Sequence, residues 1–204
     1  MSEEADVNNL IRGIPLIEEL SHHAVYIGAL LQIGDRSIEY MQMIVGVNEN
    51  GATIKPKNGR YLTIPMPIAG KRKATEIDGL FFHLTSNGKP TLAKADNGKL
   101  VVYYLLVNEV RIPARSFLGN TMIRIKPRVR SMAVGGINDI LGGRLHRWRP
   151  ILNAIGMYVT REVKRTIARK SSPPNAAITV ANKGFNNPLV DTGAMQRSIY
   201  WRVI

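Results

Sequence analysis

The stretch from Arg149 to Lys170 constrains the fold most. It repeats Ile151, Leu152, Ile155, Tyr158, Val159, Val163 and Ile167 at the three-and-four spacing of a helix that buries one face, with Arg161, Lys164, Arg165, Arg169 and Lys170 turned away. Pro150 suits the first turn, where its missing N–H is not needed, and Ser171-Ser172-Pro173-Pro174 stops the helix. A long one-sided helix draws its stability from an apolar partner surface. Ala24–Leu31, closed by a Gly34-Asp35 turn, and the aromatic and β-branched Ser198–Ile204 read as strands that supply one. The expectation is an α+β fold: a small antiparallel sheet packed on one long C-terminal helix, with a β-rich inserted element.

Val7 to Leu20 carries Leu10, Ile11, Ile14, Ile17 and Leu20 at helical spacing, and Pro15 is expected to bend it or split it in two. Ile38–Val47 fits helix or strand; a helix ending near Gly46 is favoured, followed by Asn48-Glu49-Asn50-Gly51 as a turn. Residues 52–118 read as a meander with strands at Tyr61–Ile64, Leu80–Leu84, Leu100–Val107 and Glu109–Ile112. Asn87-Gly88 and Asn97-Gly98 are placed at hairpin turns. Lys71-Arg72-Lys73 falls between the first two strands, at the tip of an inserted hairpin. Met122–Arg130 alternates like a strand with a charged face, and Met132–Gly143 reads as a glycine-rich interruption used for flexibility. One domain over 1–204 is expected, with 52–108 as its β-hairpin insertion.

Charge is distributed unevenly. Residues 1–50 hold 2 basic and 8 acidic side chains (net −6), residues 51–120 hold 11 and 4 (+7), and residues 121–204 hold 15 and 3 (+12). Such a dipole in sequence points to a polyanion, or to the acidic surface of a neighbouring protein, as partner of the basic part. Lys71, Arg72, Lys73, Arg124, Lys126, Arg128 and Arg130 are the candidate contacts to DNA phosphates or to a partner ring. No apolar run approaches the roughly 20 residues that span a bilayer, and Met1-Ser2-Glu3-Glu4-Ala5-Asp6 does not resemble a secretion signal. With no cysteine, disulfides and thiolate chemistry are excluded, which suits assembly in a reducing cytoplasm.

Catalytic equipment is hard to find. Beyond residue 120 only Asp139, Glu162 and Asp191 are acidic, too few for paired-carboxylate chemistry. His22-His23 are adjacent, so they point in different directions on a helix or strand, and no carboxylate cluster lies near them. Gly135-Gly136 and Gly142-Gly143 are not followed by the Gly-Lys-Ser/Thr of a phosphate loop. The expectation is a protein that is not an enzyme and carries no cofactor or metal.

Three segments, in this order, resemble the neck and tail-completion proteins of tailed phages, a group that includes the virion morphogenesis protein of Mu-like phages and related minor tail proteins. Val47-Asn48-Glu49-Asn50-Gly51 is similar to the family's Asn-Glu-(aromatic)-Gly turn. Arg111-Ile112-Pro113-Ala114-Arg115-Ser116-Phe117-Leu118 looks like its Ile-Pro-Ala-Arg-Pro-Phe-Leu. Asn187-Pro188-Leu189-Val190-Asp191-Thr192-Gly193-Ala194-Met195-Gln196-Arg197-Ser198-Ile199 is similar to its Pro-Leu-(Val)-Asp-Thr-Gly-x-Leu-x-x-Ser-Ile ending. Asn50 stands where the family has an aromatic and Ser116 where it has a proline. About sixty residues separate the first two segments, which lie close together in the family, so the resemblance covers roughly 21–51 and 109–204.

The resemblance implies a structural virion protein of the head–tail junction: a ring, by family a hexamer, around the DNA channel, joining the tail to the connector and contacting the neighbouring connector and tail-tube rings. It implies Arg111, Ile112, Pro113, Ala114, Arg115, Asp191, Thr192 and Gly193 as a subunit interface or turn motif. The residues themselves leave open whether the Asp191-Thr192-Gly193 corner makes a subunit contact or an internal cap. The alternative function is a free basic protein that binds and organises DNA.

Overall fold

A computed structural model of the chain describes residues 3–204. In chain order the elements are α1 (Glu3–Ser21), β1 (Val25–Ala29), α2 (Ile38–Asn50), β2 (Ala52–Ile54), β3 (Leu62–Pro65), β4 (Phe81–Leu84), β5 (Pro90–Asp96), β6 (Lys99–Val107) and β7 (Val110–Ile112). Then follow α3 (Phe117–Leu141), α4 (Arg149–Arg169), α5 (Ala177–Lys183), α6 (Ala194–Ser198) and β8 (Ile199–Val203). The α+β expectation holds. Two compact units divide the chain: Met1–Glu49, Ser116–Lys170 and Leu189–Ile204 form the first, Asn50–Arg115 and Ser171–Pro188 the second.

In the first unit, β1 and β8 pair antiparallel from Val25↔Val203 to Ala29↔Ile199 and pack on α4. Along β8 the period of two turns Ile199, Trp201 and Val203 inward and leaves Tyr200 and Arg202 exposed. Gly156 of α4 is where the ribbon comes closest: a Cβ there would lie 2.2 Å from Trp201 Cδ1 and 2.5 Å from its Cγ. Ile155, Val159, Val163 and Ile167 line the core, as the helical spacing predicts.

Against α4 lies α3, antiparallel to it. Thr121 near the start of α3 bonds Thr166 near the end of α4 (Oγ1 to Oγ1, 2.7 Å), whereas Gly136 near the end of α3 faces Ile151 near the start of α4. This overturns two expectations. Residues 122–130 are helix, because Phe117, Thr121, Ile125, Val129 and Ala133 recur every fourth residue and face the core, a longer-range pattern than the local alternation of Ile123, Ile125 and Val129. The glycines of 132–143 do not interrupt the helix before Leu141. Gly136 instead permits close packing, since a Cβ there would lie 2.6 Å from Ile151 Cγ1.

The expected break of the first helix at Pro15 fails as well. α1 is continuous through Pro15 and α3 through Pro127, each proline on an exposed position. α1 packs on the end of α3 through Gly13, whose Cβ would lie 3.2 Å from Ile140 Cγ2, and through Leu16, Ile17 and Leu20.

The second unit is built on a four-stranded antiparallel sheet in the order β3-β6-β5-β4, with β2 and β7 paired separately. The β5–β6 hairpin turns at Asn97 (φ +50°) and Gly98 (φ +74°), both left-handed as a two-residue hairpin requires. At the β4–β5 turn Gly88 has φ +70° and the loop is closed from Thr85 to Lys89. The strand β5 was not read from sequence, because it begins on Pro90 and carries Lys94 among small residues. Residues 52–108 lie inside this unit, which also takes in Ser171–Pro188.

Candidate functional site

The segments that carry the resemblance are far apart in sequence and meet in space. In the first unit the carboxylate of Glu49 caps α3: Oε2 accepts from the Leu118 N–H at 2.8 Å and Oε1 from the Gly119 N–H at 2.9 Å. Ser116, at φ +39°, gives no side-chain cap of its own. Its N–H donates to the Glu49 carbonyl at 3.1 Å and its hydroxyl to the same oxygen at 3.3 Å. A charged acceptor is thus held over the unpaired amides and positive dipole end of a 25-residue helix. The expected turn at Asn48-Glu49-Asn50 is instead the last turn of α2, which is what aims Glu49.

In the second unit Gly51 (φ +76°) follows directly. A Cβ there would lie 2.8 Å from the Ala114 nitrogen and 2.9 Å from the Ile112 oxygen, so the first and second segments meet backbone to backbone. The adjoining strands pair as Ala52↔Ile112 to Ile54↔Val110. The roughly sixty residues between the two segments therefore leave and return through one closed ribbon.

Arg115 is buried in the second unit. Its Nε donates to the Pro173 carbonyl and an Nη to Asn175 Oδ1, both at 3.4 Å, and burial pulls the guanidinium below its ordinary pKa. Asn175 Nδ2 donates in turn to the Asn187 carbonyl at 3.3 Å, which also accepts from Lys183 Nζ at 2.8 Å. Through Asn175 the second segment is tied to the start of the third. Arg111, exposed, pairs with Glu109 at 2.7 Å; Ile112 is half-buried in the ribbon; Pro113 and Ala114 are exposed.

At the other end of the third segment, Asp191 and Thr192 are exposed. Gly193 (φ +75°) opens α6, and Thr192 Oγ1 accepts from the Ala194 N–H at 3.4 Å. The turn thus leads into a five-residue helix rather than straight into the last strand. Gln196 Nε2 donates to the Lys164 carbonyl at 2.9 Å and ties α6 to α4.

The four basic candidates on α3 do not share one face. On a helix, Arg124 and Arg128 share a side, whereas Lys126 and Arg130 lie about half a turn away, so the charged strand face expected over 122–130 does not exist. Lys71-Arg72-Lys73 is exposed, but lies in the crossover from edge strand β3 to the opposite edge strand β4, between two 3-10 turns, not at a hairpin tip. Tyr104 Oη fixes that crossover by donating to the Arg72 carbonyl at 2.8 Å, and the Arg72 guanidinium folds back onto the Ile68 and Ala69 carbonyls.

What sequence reasoning missed is the arginine cluster around Glu162. This buried carboxylate of α4 lies 2.8 Å from Arg165, 3.2 Å from Arg124 and 3.7 Å from Arg161. Burial alone would push the carboxyl up. Hydrogen bonds and charge from Arg124 and Arg165 outweigh it and hold the group below its ordinary value. Folded protein thus keeps this charge to lower pH than unfolded chain does. Its contribution to stability is complete above roughly pH 4.3, the ordinary glutamate value, and is lost as pH falls through the lower folded value. Glu162→Gln is expected to flatten the acid limb of a melting-temperature profile over that window, and parallel profiles for the two proteins would contradict this.

Beside the cluster a groove of about 890 Å³ is lined mostly by α4, with Arg128 and Met132 of α3, Gln196 of α6 and Trp201 of β8; Met132, Met157, Tyr158 and Trp201 make it apolar, and Arg128, Arg161, Lys164, Arg165 and Arg169 make it basic. Thr160 is also among its lining residues, with a buried hydroxyl that has no hydrogen-bond partner among the described residues. Among the described residues no group of three or more histidine or carboxylate side chains could hold a metal, and no helix is long and apolar enough to cross a membrane. His23 packs on Trp148, the rings tilted by 33° with 3.9 Å between their centres, and bonds the Glu19 carbonyl through Nδ1. Comparison with known protein families, with curated proteins and with solved structures gave no match.

Proposed function

We propose that the chain is a structural virion protein of the head–tail junction of a tailed phage, a neck, terminator or completion subunit that closes into a ring around the DNA channel and joins the tail to the connector. The observation that carries this reading is the convergence of the three resembling segments. Glu49 of the first caps the helix that the second begins, and Arg115 of the second is linked through Asn175 to Asn187 of the third. Residues that merely happened to match a pattern would have no reason to meet. Here they form the joints of the fold, and Asp191-Thr192 stands exposed at the end of the chain of contacts.

The partners in this reading are further copies of the chain, six by family resemblance, and the connector and tail-tube rings above and below, with non-specific contact to packaged DNA. Assembly takes place in the host cytoplasm and the mature location is the virion. The competing reading, a free DNA-organising protein, is favoured by the arginines and lysine lining the α3–α4 groove. Native mass spectrometry and duplex-DNA binding from 50 to 300 mM salt, on the full-length chain, separate the two. A neck subunit self-associates and binds DNA weakly; a DNA organiser stays monomeric and binds with an affinity that falls steeply with salt.

A further inference from the structure

α1 has a second apolar side that nothing among the described residues covers. Val7, Leu10, Ile11 and Ile14 are 45–63 % exposed. At 3.6 residues per turn they form a stripe roughly a third of a turn from the Gly13, Leu16, Ile17 and Leu20 side that packs on the first unit. The stripe spans about 10 Å of helix. Glu4 and Glu18 flank it, and Arg12, the only base in α1, falls on the far side.

The α3–α4 groove has the complementary character. Met132, Met157, Tyr158 and Trp201 give it an apolar lining, Arg128, Arg161, Lys164, Arg165 and Arg169 give it basic side chains, and among the described residues no carboxylate lines it. Phosphates alone would have no use for the apolar lining. An amphipathic helix with acidic flanks would use the apolar and the basic side chains together. α1 of the same chain is already committed to the end of α3.

We infer that the groove receives the Val7-Leu10-Ile11-Ile14 stripe of α1 from a second copy of this chain. The contact joins two different surfaces and is therefore head-to-tail, the kind that generates a ring when the rotation closes. The inference rests on the ring reading and supplies its subunit contact.

The test uses the full-length chain in two variants, Ile11→Glu/Ile14→Glu on α1 and Lys164→Glu/Arg169→Glu in the groove lining, with circular dichroism and melting curves to establish that each is folded. Every substituted position is exposed or half-buried at the surface. Each variant alone is expected to self-associate at least roughly a hundredfold more weakly than wild type, from lost apolar burial and reversed charge. Mixed one to one, they retain one intact contact, α1 of the groove variant in the groove of the α1 variant, and are expected to form a dimer that grows no further.

Wild-type assembly that survives in both variants would overturn the docking contact and leave the ring reading standing. A wild-type chain that is monomeric at every concentration would overturn both. Loss of duplex-DNA binding by the groove variant with self-association intact would make the groove a nucleic-acid surface and overturn the inference.

Discussion

Gly156→Leu is expected to lower stability by about 3 kcal/mol, the upper end of the cost of overpacking a filled core. The atoms a new Cβ would meet are Trp201 Cγ and Cδ1, at 2.5 and 2.2 Å. They are the root of the indole, so clearing them means either swinging the whole ring out of its place about χ1 or lifting the ribbon of β1 and β8 from α4. Thermal and urea melts measure the loss, and Trp201→Ala in the same chain should recover part of it, because the two changes share one contact. Gly135→Ala is the control. Gly135 is an exposed helical glycine with nothing within 4 Å of its would-be Cβ, and the substitution should raise stability by about 0.5–1 kcal/mol through helix propensity. Equal effects at the two positions would contradict the packing described for α4 and β8.

Glu49→Ala is expected to cost about 2–3 kcal/mol, from two hydrogen bonds to a charged acceptor and the loss of a negative charge at a helix start. For a chain of this length that is a fall in Tm of roughly 5–10 °C. Glu49→Gln should fall between, since an amide oxygen can still accept from one of the two N–H groups but carries no charge. A third variant, Ser116→Pro, introduces the residue that the resembling family carries at that position. It is expected to destabilise, because Ser116 sits at φ +39°, which proline cannot adopt, and its N–H donates to the Glu49 carbonyl. The left-handed Ser116 and the capping by Glu49 thus belong to one local solution. A melting temperature indifferent to Glu49→Ala would remove the physical link between the first two segments.

Helix α4, its ribbon of β1 and β8, and the Asn97-Gly98 hairpin were legible in the sequence because each is specified locally, by a period of 3.6, a period of two or a turn that needs positive φ. Residues 122–130 were not. Ile123, Ile125 and Val129 alternate with arginine and lysine over a short window, and only the run from Phe117 to Ala133 shows the fourth-residue repeat. Pro127 sits on the exposed side of α3, where a proline is tolerated at a cost of about 3 kcal/mol. The joints were beyond local reading altogether. That Glu49 reaches Leu118 and that Arg115 reaches Asn175 depends on tertiary closure, and no spacing rule connects such pairs. The α3–α4 groove escaped for the same reason: its arginines come from two helices, and α3 was not recognised as a helix.

We propose a ring of this chain at the head–tail junction. Cryo-electron microscopy of purified phage particles that contain the chain tests it most directly. The account predicts a closed ring of copies between the portal and the tail tube, encircling the DNA, with α1 of each copy lying across α3 and α4 of the next. Particles in which the chain is absent from the neck, or present only as isolated copies bound along DNA, would contradict it.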